Sequence, residues 1–166
     1  MGKKQKLLVV SDNHGSGYEM EYLLDTFGGK IDGLVHCGDS EWSPEYLEDM
    51  FDCPVYCAKG NCDSGFLKRE ETVFEFGDHT CFVTHGHFYG VNWGCEDLLE
   101  KAMEVGADVV FYGHTHVPNY EEYGDQGVVL MNPGSISQPR QVNPQRTFLI
   151  IEMEEDGVIR PMFYTL

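Results

Sequence analysis

Residues 108–116 read Asp-Val-Val-Phe-Tyr-Gly-His-Thr-His, and this stretch decides the fold. After Asp108 the run to Tyr112 is wholly apolar and aromatic, as expected of a strand covered on both faces. It stops at Gly113, and His114 and His116 follow at once. The same order, an apolar run closed by glycine and ligand-type side chains, occurs four times earlier. Leu7–Val10 leads to Asp12-Asn13-His14, and Gly33–Cys37 to Gly38-Asp39. Val55–Ala58 leads to Gly60-Asn61-Cys62-Asp63, and Cys81–Thr84 to His85-Gly86-His87. In open α/β sheets, ligands bind beyond the carboxyl ends of the strands. If these strands share one region, Asp12, His14, Asp39, Asn61, His85, His114 and His116 converge on one rim. Each cluster alone reads more simply as a turn or a capped strand end. Their joint recurrence makes a dinuclear metal site the leading reading.

The segments between clusters supply helices. Gly17–Phe27 is expected to be helical, with Tyr18, Leu23, Leu24 and Phe27 inward and Gly28-Gly29 ending it. Ser43 is an N-cap before Pro44 for a helix reaching Phe51. A third helix covers Cys95–Val105, with Leu98, Leu99 and Met103 inward. Thr72–Phe76 and Cys81–Thr84 flank Gly77-Asp78-His79-Thr80 as a hairpin, which leaves His79 exposed in the turn. Strands follow at 128–131, 147–153 and 158–163, with a tight turn at Glu155-Asp156-Gly157. Alternating β and α units followed by a β-rich half predict an α/β fold of two packed mixed sheets flanked by helices, a four-layer α/β/β/α sandwich. The 166 residues are enough for one domain over 1–166 with a sizeable core, and no linker or repeat interrupts them.

Eleven Lys and Arg against 28 Asp and Glu leave a net charge of -17. That speaks against non-specific nucleic-acid binding, which depends on neutralising phosphates with basic side chains. It speaks equally against anionic membranes, but bound cations can reverse the field locally and admit an anionic substrate. The six cysteines form no Cys-x-x-Cys pair, and no run approaches the ~20 apolar residues of a membrane span. The start fits neither a signal peptide nor a myristoylation site. A cytoplasmic setting with mostly free thiols is expected, and a homodimer is left open.

The order Asp-x-His, Gly-Asp, Gly-Asn, His-Gly-His, Gly-His-Thr-His resembles that of the calcineurin-like metallophosphoesterases, from Leu7 to about Ser135. Gly60-Asn61-Cys62-Asp63 and Asn132-Pro133-Gly134-Ser135 are most similar to the small bacterial and archaeal phosphodiesterase branch. The resemblance implies one metal on Asp12, His14, Asp39 and His116, and a second on Asp39, Asn61, His85 and His114, with Asp39 bridging. It implies a phosphodiesterase that acts on a small phosphorylated substrate through a hydroxide bridging two divalent ions. Asp39, Asn61 and His85 are the residues closest to that chemistry. Imidazole, carboxylate and amide ligands without thiolate suit manganese first, with nickel, iron or zinc as alternatives.

Where many members carry His after the Asn, this chain has Cys62, a weaker hydrogen-bond donor. Cys62, Asp63, His87 and Arg140 are candidates for substrate contact or support of the ligands, and His36 for a packed imidazole behind them. Two rival readings remain. One is a non-catalytic scaffold on the same fold, as in a retromer subunit that has lost part of its histidines; the other is a nuclease, which the acidic charge disfavours.

Overall fold

In the computed structural model, which describes residues 4–63 and 70–166, the apolar runs become the centres of two five-stranded sheets. The first has the order β10 (Ile159–Thr165), β9 (Thr147–Met153), β1 (Gln5–Val10), β2 (Gly33–His36) and β3 (Val55–Cys57). The second has the order β4 (Glu71–Phe76), β5 (His79–Thr84), β6 (Val109–Phe111), β8 (Val128–Asn132) and β7 (Asn119–Tyr123). Strands β1, β2 and β3 run parallel, as do β5, β6 and β8. Their carboxyl ends therefore carry the His/Asp clusters.

Strand alternation explains why these runs are apolar throughout. Leu7 and Val9 join Val83, Val109, Phe111 and Met131 in the core between the sheets. Leu8 and Val10 point the other way, to Met20 and Leu23 of α1 (Gly17–Phe27) and Leu47 and Phe51 of α2 (Pro44–Phe51). Phe82, Val110 and Leu130 pack instead with Leu98 and Ala102 of α3 (Glu96–Val105). The result is the expected α/β/β/α layering.

The helix bounds agree with the sequence, but two inward faces need correction. Tyr18 is 71% exposed, and Met20 takes the inward place. Met20, Leu23, Leu24 and Phe27 follow the i, i+3, i+4, i+7 rule, and Tyr18 lies about 200° round the helix from Met20. In α3, Leu98 and Ala102 are buried, while Met103 is 53% exposed at the edge of the stripe. Ser43 caps α2 as expected, its Oγ accepting the Tyr46 N–H at 3.1 Å.

The hairpin turn is only Gly77-Asp78, because His79 pairs with Phe76. His79 is thus not an exposed turn residue. One of its ring nitrogens lies 2.7 Å from Asp108 Oδ2 and the other 2.7 Å from Gly157 O, which ties the start of β5 to the β9–β10 turn of the other sheet. Strand β7 was not expected. Its sequence, Asn-Tyr-Glu-Glu-Tyr, carries two acidic residues at a sheet edge, so no apolar alternation marks it.

Candidate metal centre

Asp12 leaves β1 with its carboxylate fully buried. Its N–H donates to Gly38 O at 3.0 Å, and its carbonyl accepts Ser135 Oγ at 2.8 Å and Ser137 Oγ at 3.0 Å. Carboxylate oxygen Oδ2 accepts the Ser11 hydroxyl and the His114 N–H. Oδ1 has no hydrogen-bond partner, although imidazole nitrogens crowd it. His116 Nε2 lies at 3.2 Å, His14 Nε2 at 3.6 Å and His85 Nε2 at 3.8 Å. A buried carboxylate oxygen without a partner is costly. Three imidazole nitrogens closing on one such oxygen are a donor set that fits a cation.

Asp39 is the second focus. Cys62 N–H donates to its Oδ1 at 2.7 Å, while Oδ2 lies 3.2 Å from His85 Nε2 and 4.0 Å from His14 Nε2. His114 Nδ1 lies 3.2 Å from His85 Nε2. The side chains of Asp12, His14 and His116, and those of Asp12, Asp39 and His85, form groups compact enough to hold an ion. Six of the seven expected ligands are thus brought together. Asn61 sits on the adjoining loop and is exposed, with its amide 3.7 Å from Cys62 Sγ.

The imidazoles are oriented from behind. His85 Nδ1 lies 2.7 Å from Cys37 O, and His116 Nδ1 lies 2.6 Å from Gln138 O. Donating Nδ1–H to those carbonyls leaves the Nε2 lone pairs facing the centre, the usual arrangement behind metal-bound histidine. His36 is buried one layer back, with its Nε2 2.8 Å from Asn13 Oδ1 and its Nδ1 accepting Gly38 N–H. Burial lowers its pKa to about 4, so it stays neutral.

The backbone of the rim is unusual. Asp12, His14, Asp39, His114 and His116 all have positive φ, between 46° and 73°. Non-glycine residues rarely adopt this region, and it concentrates at functional sites. Gly60 meets a different need. A Cβ there would overlap the Asp39 carboxylate.

Electrostatics fit the geometry. Burial opposes ionisation of Asp12, but contacts with His116, His14 and His85 outweigh it and hold the carboxyl far below the usual range. Asp39 is likewise lowered, with His85 overcoming the cost of burial. The pKa of His14 is raised chiefly by Asp12. That of His85 is raised by Asp39 and Asp12 against the burial that disfavours its charge. His114 is lowered by burial and by the neighbouring His85.

The remaining candidates divide. Asp63 is a clamp, accepting the N–H groups of Asp39 at 2.9 Å, Gly60 at 2.8 Å and Glu41 at 2.7 Å. His87 opens a 3₁₀ turn (His87–Tyr89), its ring 5.3 Å from that of His85 and 4.0 Å from that of Phe88, tilted by 36°. Arg140 is exposed and touches the site through its backbone, its N–H donating to His116 O at 3.0 Å. Cys62 departs from the thiolate-free ligand set, because its sulfur groups with His14 and Asp39. Sequence reading had Asp63 as a candidate support of the ligands but not the three N–H groups through which it acts, and it missed Ser11 and Ser137. Only Ser135 was flagged, through its motif.

With two packed sheets, His/Asp clusters on the shared rim and an oriented imidazole set, the comparisons with known proteins agree. A family model for the calcineurin-like phosphoesterase superfamily domain matches residues 6–156, and the chain belongs to that family. It is 34% identical over 153 residues to the probable metallophosphoesterase YsnB of Bacillus subtilis, covering 91% of this chain and 86% of that protein. It is 30% identical to the phosphodiesterase YfcE of Escherichia coli, covering 84% of this chain and 83% of the relative. A crystal structure of a predicted phosphoesterase from Streptococcus pneumoniae superposes over the whole of both chains, with a TM-score of 0.81 and 30% identity.

Proposed function

We propose that this chain is a metal-dependent phosphodiesterase with two divalent ions in the rim site, acting on a small phosphorylated substrate. The observation that carries the proposal is the partnerless Oδ1 of Asp12 inside three imidazole nitrogens. Asp12, His14 and His116 would hold one ion, and His85, His114 and Asn61 the other, with Asp39 shared between them. Bound there, the ions lower the pKa of a water and neutralise charge developing on the phosphoryl group. The protein's own residues do the rest. Cys37 O and Gln138 O fix the imidazole faces, and Asp63 sets the loop that presents Asp39. With two carboxylate oxygens, Asp39 would serve both ions. Manganese suits the hard oxygen and imidazole donors.

The test is hydrolysis of bis-p-nitrophenyl phosphate by chelated protein reloaded with Mn²⁺, Ni²⁺, Fe²⁺ or Zn²⁺. Activity restored by metal and lost in Asp39→Asn is expected. Folded, metal-loaded protein inert towards both diesters and monoesters would leave the scaffold reading standing.

A further inference from the structure

We propose that Cys62 Sγ is a conditional metal ligand, engaged by thiophilic ions and left free by hard ones. The proposal rests on the metal centre argued above and adds a ligand that the phosphodiesterase reading does not use. Three observations carry it. First, the Cys62 sulfur, a His14 ring nitrogen and an Asp39 carboxylate oxygen all lie within 4.8 Å of one another. Metal–donor bonds of about 2.0–2.3 Å put donors on one ion roughly 3–4.5 Å apart, so a small closing motion is enough. Second, the residue is tethered through its backbone, because Cys62 N–H donates to Asp39 Oδ1 at 2.7 Å. That bond keeps the Cys62 backbone beside the same carboxylate whose Oδ2 faces His14 and His85, so the side chain starts within reach of them. Third, the Oδ1 of Asp12, fully buried and without a hydrogen-bond partner, lies 3.6 Å from the Nε2 of that same His14.

Exposure sets the consequence. Cys62 stands on the solvent side of the group, where His14 and Asp39 are largely covered. A thiolate ligand there takes the coordination position that water or substrate would otherwise occupy. Thiolates favour zinc, cobalt and cadmium over manganese and magnesium. A soft ion therefore draws the sulfur in and closes its own open position. A hard ion leaves the thiol as an open edge of the site. The step is a ligand exchange: the S–H proton leaves to solvent as the sulfur–metal bond forms, and nothing is oxidised.

The experiment uses Co²⁺ as the probe, added to the chelated full chain. Its d–d absorption reports binding, and a near-ultraviolet thiolate-to-cobalt charge-transfer band reports sulfur ligation. The native chain should show both, and Cys62→Ser and Cys62→Ala should keep the d–d spectrum and lose the thiolate band. Competition titrations should show Cd²⁺ affinity falling about tenfold in Cys62→Ser, the scale of a lost contact around a metal. Mn²⁺ affinity should stay within about twofold, as expected for a donor that manganese does not use. A d–d spectrum without the thiolate band in the native chain, or a band that survives both substitutions, overturns the proposal. Absence of any cobalt spectrum removes the metal centre itself, and the proposal with it.

Discussion

The rim turns on a few atoms whose chemistry is not interchangeable. Asp39 lies between the imidazoles of His85 and His14, whereas His87 approaches as a ring beside His85 and His114 without meeting the carboxylate of Asp12 or Asp39 in an ion pair. Asp39→Asn replaces a charged oxygen by an amide and should weaken both ions. Metal content after Mn²⁺ loading should fall well below one equivalent, against nearly two for the native chain. His87→Ala should keep close to the native content. Elemental analysis of both variants decides this, and the opposite order would show the ligand assignment to be wrong. Gly60→Ala makes a steric version of the same test. The added methyl would press on the Asp39 carboxylate, so metal content should drop although no ligand is altered. Native metal content in that variant would mean that the loop yields more readily than its clamp by Asp63 implies.

At the scale of elements, caps and clasps hold the frame from which the rim projects. Ser43→Ala removes the α2 cap and should cost about 0.5–2 kcal/mol, measured by denaturant unfolding of the chelated protein. An unchanged midpoint would mean that water replaces the cap at no cost. The His79 clasp joins the sheets at the end of β5 opposite the rim. Burial lowers its pKa, but Gly157 O and Asp108 raise it more, and the net shift is upward. A raised folded-state pKa gives stability that is full below the unfolded value near 6.5 and is lost as pH rises through the folded value. His79→Ala should therefore destabilise more at about pH 6 than at about pH 8, by roughly 1 kcal/mol at the lower pH. Equal losses at both would show that the clasp works through packing instead of charge.

For the whole molecule, metal and proton compete for the same rim. In the chelated protein, His85 and His14 have raised pKa values because carboxylates face them. Their protonated forms stabilise the fold below about pH 6.5, and that help fades as pH rises through the raised values. Metal needs the deprotonated imidazole, so its contribution runs the other way. The difference in thermal midpoint between Mn²⁺-loaded and chelated protein should widen from about pH 6 to about pH 8. A constant difference would show that no imidazole proton is displaced on binding. Much of this molecule was legible in the chain. The runs at 7–10, 33–37 and 109–112 read as strands covered on both faces, because they are apolar almost throughout, His36 being the polar exception. The glycines and ligand residues that end them pointed to a rim, since strand ends are where side chains can converge. Other features were decided only by the fold. Strand β7 arises because β8 offers it an edge, which outweighs its acidic sequence. Met20 displaces Tyr18 because helix phase is fixed by the sheet beneath it. Positive φ at five rim residues, the carbonyls behind His85 and His116, and the sulfur of Cys62 beside Asp39 all depend on contacts between residues far apart in the chain. Sequence pattern determined which side chains reach the rim, because burial is written in local periodicity. Tertiary structure decided which atom of each one faces the centre, because that is set by partners the chain brings together only on folding.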